Sequence, residues 1–102
     1  MLLHPGLQRP LRIVAYENIP FAREAFRGVG VVRPLPADQI TPATVRNCDV
    51  LLVRSVTRVD AALLEGSRVQ FVGSATSGID HVDLAYLQKR GIRSEERRVG
   101  KE

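Results

Sequence analysis

Apolar residues along this chain fall into short unbroken runs, and between the runs they recur at helical spacing. Leu11-Arg12-Ile13-Val14-Ala15 suits a first strand. Pro20 follows, tolerated in a first helical turn because its missing N–H would be unpaired there. Phe21, Ala22, Ala25 and Phe26 then make one apolar face, and Gly28 can close the helix in the left-handed conformation. Val29, Val31 and Val32 predict a second strand that Pro34 and Pro36 close. Thr41-Pro42 pairs a capping residue with a first-turn proline and predicts a short helix ending near Asn47.

Val50-Leu51-Leu52-Val53 has no polar alternation, the mark of a parallel strand covered on both faces. Asp60 predicts a cap for a helix that turns Leu63 and Leu64 inward and stops at Gly66. Val69-Gln70-Phe71-Val72 is the next strand. Asp80 then predicts a cap for a helix carrying Val82, Leu84, Ala85 and Leu87, with Asp83 reinforcing its first turn and Gly91 ending it. This β-α-β-α-β-α-β-α order predicts an α/β fold, a parallel sheet with helices on both faces joined by right-handed crossovers. The preferred topology is flavodoxin-like, with strands in the order 2-1-3-4 and a fifth beginning near Ile92, where the pattern stops.

Composition narrows the class. At 102 residues the chain is one domain at most, and 44% hydrophobic with 25% charged residues is an ordinary globular mix. No apolar run nears the ~18–20 residues of a membrane span, so no membrane partner is expected. The net charge of +4 invites a nucleic-acid partner. The arginines are scattered, however, and five aromatics make no stacking platform, so none is expected. Residues 1–92 carry +3 and the last ten +1, so part of the basicity belongs to the tail. Cys48 is the only cysteine, which excludes an internal disulfide or a thiolate zinc site, and no metal is expected. It is expected to be a small buried residue, since Asp49 beside it disfavours a thiolate. Residues 1–10 lack a signal peptide's basic start and apolar stretch, and the chain is expected to be cytoplasmic.

Candidate chemistry follows from topology. In open α/β sheets ligands bind beyond the carboxyl ends of strands, near the point where strand order reverses. Arg54-Ser55-Val56-Thr57 and Gly73-Ser74-Ala75-Thr76-Ser77-Gly78 follow two such strands. A guanidinium, several hydroxyls and free backbone N–H groups suit an anionic, oxygen-rich ligand, although turn and cap residues without a ligand look the same. Two nucleotide motifs fail. Gly73 and Gly78 have P-loop spacing, but Ile79 and Asp80 stand where Lys and Ser/Thr belong. Gly28-Val29-Gly30 begins like a dinucleotide fingerprint, but Arg33 takes the third glycine's place and the segment leaves a helix instead of entering one. His81 reads as a polar residue of a helical first turn, with a catalytic imidazole the less common alternative.

Taken together, Arg12-Ile13-Val14, Glu17-Asn18-Ile19-Pro20, Leu52-Val53-Arg54-Ser55-Val56-Thr57-Arg58-Val59 and the stretch from Phe71 to Asp83 resemble the opening of a D-isomer-specific 2-hydroxyacid dehydrogenase. Within that family the stretches from Leu52 and from Phe71 are most similar to the branch that oxidises 4-phospho-D-erythronate with NAD, in pyridoxal 5'-phosphate biosynthesis. Tyr16 departs from that branch's usual Asp. The resemblance implies that Ser55 and Thr76 bind a small phosphorylated hydroxy acid and that Arg54 and Gly78 shape the same pocket. It also implies that NAD, the catalytic Arg, Glu and His, and a homodimer interface belong to regions beyond this chain, so that the chain alone would be inactive.

On that basis residues 1–10 are an extension and residues 11–92 part of a substrate domain. Residues 93–102, Arg93 to Glu102, are a non-native tail whose string resembles a translated sequencing adapter. The alternatives are another dehydrogenase of the family, such as one acting on 3-phosphoglycerate, or a standalone flavodoxin-like binding or receiver domain. A receiver is disfavoured because Asp49 precedes its strand and Arg54 follows it.

Overall fold

A computed structural model of the chain describes residues 10–19, 22–75 and 81–96. Its sheet has five parallel strands in the order β2-β1-β3-β4-β5. These are β1 (Leu11–Tyr16), β2 (Gly30–Leu35), β3 (Val50–Val53), β4 (Phe71–Ser74) and β5 (Arg93–Glu96). Between them lie α1 (Ala22–Ala25), α2 (Pro42–Val45), α3 (Ala61–Leu64) and α4 (Leu84–Arg90), with a single 3-10 turn at Ala37–Gln39.

Alternation along the central strands sends side chains to two covered faces. Val14, Leu51, Val53 and Val72 pack in one cluster with Val45, Leu63, Leu64 and Leu87 from three of the helices. Ile13, Ala15 and Val50, one residue out of phase, are buried too. Burial on both faces is what the unbroken run Val50–Val53 requires. The helix signals act as anticipated at three ends. Thr41 accepts a hydrogen bond from Thr44 N–H while Thr44 Oγ1 accepts one from Thr41 N–H. Asp60 accepts one from Leu63 N–H, and Gly91 closes α4 at φ 73°.

Other elements depart from the sequence expectation. Pro34 lies inside β2 opposite Ala15 and does not close it. An edge strand tolerates proline because one row of its N–H groups has no ladder partner. Val29 falls before β2, which begins at Gly30. A Cβ on Gly30 would lie 2.5 Å from the Leu11 carbonyl oxygen, so the close pairing of β1 and β2 needs glycine there. The strand expected at Val69–Val72 runs two residues later, as Phe71–Ser74. The expected cap Asp80 lies outside the described residues, as do Pro20 and Phe21. Helix α4 is capped by Asp83, which accepts from Tyr86 N–H, and Val82 bridges to Val59 instead of lying on the helix. The fifth strand begins at Arg93, beside the expected start near Ile92, but it is not truncated there. Arg93–Glu96 pair with Phe71–Ser74. A backbone ladder needs no apolar side chain, and an edge of polar residues leaves less apolar strand open to association.

Asp49 pins the start of the central strands. Its carboxylate, 6% exposed, accepts from Arg12 N–H at 2.8 Å and lies 3.8 Å from Arg68 Nε. Asp49→Asn keeps an acceptor but loses the charge, so it should cost about 1–2 kcal/mol in urea unfolding. A change within experimental error would show that the charge contributes nothing there.

Candidate functional site at the carboxyl ends of the strands

Strands β3 and β4 end in register, with Val53 opposite Ser74, and Ala75 N–H donates to Val53 O at 2.9 Å. Arg54 and Ala75 therefore leave the sheet side by side. Strand β1 lies between β2 and β3, so the strand order reverses beside β1, the switch point at which open α/β sheets bind ligands. Arg54 reaches across that switch point from the end of β3 to the loop after β1. Its Nη1 donates to Asn18 O at 3.4 Å, while Asn18 Nδ2 donates to the Tyr16 hydroxyl at 3.2 Å. Arg54 is exposed, and among the described residues no carboxylate pairs with it, so its charge is available to an anion.

Residues 54–57 form a turn in which Thr57 N–H donates to Arg54 O at 3.1 Å. Ser55 and Val56 are exposed at its tip. Thr57 is buried, and its Oγ1 has no hydrogen-bond partner among the described residues. The structure thus brings Arg54 and Ser55 of the anticipated set together at one strand end. Thr76 and Gly78, the other two, lie outside the described residues. Their segment leaves the sheet next to Arg54, at Ala75.

Sequence reasoning misplaced one side chain here. His81 precedes α4, outside any helical turn, and its Nε2 lies 2.8 Å from Ser74 Oγ. The main chain on either side is tied to the loop after β3, for Val59 N–H donates to His81 O at 2.7 Å and Asp83 N–H to Val59 O at 2.8 Å. The available signal was strand parity. Val72 faces the helix-covered core, so Ser74 does too, and a buried hydroxyl there needs a partner.

A cavity of ≈ 580 Å³ lies elsewhere, at the start of β1 and β2, lined among others by Arg12, Val31, Arg33, Thr44, Asn47 and Cys48. It contains none of the anticipated site residues. Cys48 is 3% exposed, and burial first, then the neighbouring Asp49, pushes its thiol from 9.0 up to about 11. The folded state therefore keeps a proton that the unfolded state releases earlier. Stability from this group is complete below about pH 9 and declines as pH rises towards 11. Alkylation of Cys48 at pH 8 should require unfolding, and rapid labelling of folded chain would contradict its burial.

Comparison with known proteins adds an independent measure. The model of the "D-isomer specific 2-hydroxyacid dehydrogenase, catalytic domain" family matches residues 12–94. The erythronate-4-phosphate dehydrogenase of Saccharophagus degradans is 60% identical over 82 residues, 80% of this chain and 22% of that protein. Its Azotobacter vinelandii counterpart is 58% identical over the same length. The chain thus spans about a fifth of these relatives. Among solved structures, D-lactate dehydrogenase from Aquifex aeolicus superimposes with a TM-score of 0.67 at 20% identity, over 83% of this chain and 27% of that one. The 3-phosphoglycerate dehydrogenase of Entamoeba histolytica gives 0.66 at 18%, over 86% and 33%. At such identities these two superpositions speak for the fold alone.

Proposed function

Because this chain belongs to the D-isomer specific 2-hydroxyacid dehydrogenase family, we propose that it is the first part of the substrate domain of an erythronate-4-phosphate dehydrogenase. The whole protein oxidises the C2 hydroxyl of 4-phospho-D-erythronate to a ketone, with NAD as hydride acceptor, on the route to pyridoxal 5'-phosphate. It works in the cytoplasm as a homodimer. In this proposal residues 1–10 are an extension, residues 11–92 the enzyme's own sequence and residues 93–102 a non-native tail, the first residues of which take the place of the fifth strand and fall within the family match that ends at residue 94. The observation that carries the reading is the 60% identity to the S. degradans enzyme. Arg54, which meets no carboxylate among the described residues, stands beside the Ser55 turn and supports it chemically, since a phosphorylated acid needs a cation and donors at one place.

NAD does not fit the described residues. Among the described residues the glycine-rich turn Gly28-Val29-Gly30 runs out of α1 into β2, with Gly28 at φ 87°. No helix N-terminus stands there to receive a pyrophosphate. This part of the protein therefore holds and orients the hydroxy acid, and the redox step belongs to another part. Arg54 offers its charge to the phosphate or carboxylate, and Ser55 offers a hydroxyl. Thr76 and Gly78 complete the pocket in this proposal.

The test is a chimera in which the 82 matched residues replace their counterpart in the S. degradans enzyme. NADH should form with 4-phospho-D-erythronate at a kcat/KM within about tenfold of the parent, and at least a hundredfold less efficiently with 3-phosphoglycerate. Preference for 3-phosphoglycerate would move the chain to another branch of the family. The isolated chain should show no saturable NAD binding by calorimetry.

A further inference from the structure

We propose that His81 is a positioning residue that ties the end of the Arg54–Val59 loop to the end of β4. The inference rests on the hydroxyacid dehydrogenase reading. The first loop, Arg54 to Val59, carries Arg54 and Ser55. Strand β4 ends at Ser74, and His81 stands before the cap of α4. His81 bonds to the end of β4 through its ring and to the end of the first loop through its carbonyl. Its ring reaches back to Ser74, the last residue of β4, at 2.8 Å. Its carbonyl accepts from Val59 N–H at 2.7 Å, at the end of the first loop. The Val59–Val82 bridge and the Asp83 N–H bond to Val59 O extend the same tie into the cap of α4.

Ser74 is 5% exposed, so the ring bond is shielded from water at its hydroxyl end. Loss of such a bond leaves a buried hydroxyl to be satisfied by moving the chain. Movement there displaces Val59, and with it the loop that carries Arg54 and Ser55. A misplacement near 1 Å in a binding constellation is enough to cost up to about a hundredfold. His81 itself has no part in proton transfer in this scheme. Its imidazole is occupied by Ser74, and its role is exercised through the ground-state geometry of the Arg54–Val59 loop.

The variants are His81→Phe and Ser74→Ala, which remove the bond, and His81→Gln, whose amide can replace Nε2. In the 102-residue chain, amide hydrogen exchange at Arg54–Val59 should accelerate at least tenfold in the first two relative to the third. In the chimera, His81→Phe should raise KM for 4-phospho-D-erythronate about tenfold with kcat within twofold and KM for NAD unchanged. His81→Gln should recover most of the loss. The double variant His81→Phe/Ser74→Ala should be no worse than either single one, since both remove the same bond. Unchanged exchange and unchanged KM in His81→Phe would overturn the proposal. So would a loss confined to kcat, which would make the imidazole a participant in the chemistry. An unsubstituted chimera without activity would refute the dehydrogenase reading and the substrate half of this inference, while exchange would still decide whether that loop is tied to β4 through His81.

Discussion

Replacing Arg54 by alanine in the chimera is expected to lower kcat/KM for 4-phospho-D-erythronate by about 30- to 1,000-fold. Removing one partner of a desolvated, hydrogen-bonded charge pair costs ~2–4 kcal/mol, and each 1.36 kcal/mol is tenfold in rate. The guanidinium is placed for this. It stands at the end of a central strand, crosses the switch point to reach Asn18 O, and among the described residues meets no carboxylate that would neutralise it. Arg54→Lys should recover the charge but not the planar fork, and so restore only part of the loss. Steady-state kinetics with both substrates check this. A change below threefold in Arg54→Ala would mean that the anion is held elsewhere.

Leu51→Ala should be the most damaging single truncation for stability. Leu51 is fully buried on the central strand, in the cluster that joins the sheet to Val45, Leu63, Leu64 and Leu87. Leucine-to-alanine changes at such sites cost ~3–5 kcal/mol, part lost transfer energy and part cavity. A domain has only ~5–15 kcal/mol in total, so a chain of this size loses much of its margin. The neighbouring Leu52 points to the opposite face and is only part-buried. Leu52→Ala should therefore cost about half as much. Urea unfolding of the pair checks the face assignment, and equal losses would contradict the alternation.

Much of the fold was legible in the sequence, and the reason is local. Val50–Val53 declares a strand covered on both faces, Thr41-Pro42 and Asp60 satisfy helix N–H groups within three residues, and Gly91 closes a helix that its neighbours begin. Where competing signals depended on tertiary pairing, the reading shifted. Asp80 and Asp83 are equally good caps by composition. Asp83 caps α4, and Val82 is held in the bridge to Val59, which lies twenty-three residues before it in sequence and meets it only in space. Pro34 reads as a stop, yet an edge strand accommodates it. Arg93–Glu96 has no apolar pattern at all, and forms a strand because β4 presents an edge to pair with.

The site divides in the same way. The strand-end position of Arg54 and Ser55 was legible because the apolar run Val50–Val53 marks where β3 ends. His81 was not, because its partner Ser74 is seven residues away and the bond exists only once β4 is placed. The cavity beside Arg12 and Arg33 had no sequence signal and no anticipated residue in it.

That cavity makes the central claim easy to test. The claim is that the hydroxy acid binds beyond the carboxyl ends of β1, β3 and β4. The measurement is an amide chemical-shift titration of the 102-residue chain with 4-phospho-D-erythronate. Shifts centred on Asn18, Arg54, Ser55, Ala75 and His81 are the predicted result. Shifts centred on Arg12, Val31, Arg33 and Asn47, or none at any residue up to tens of millimolar, would contradict it.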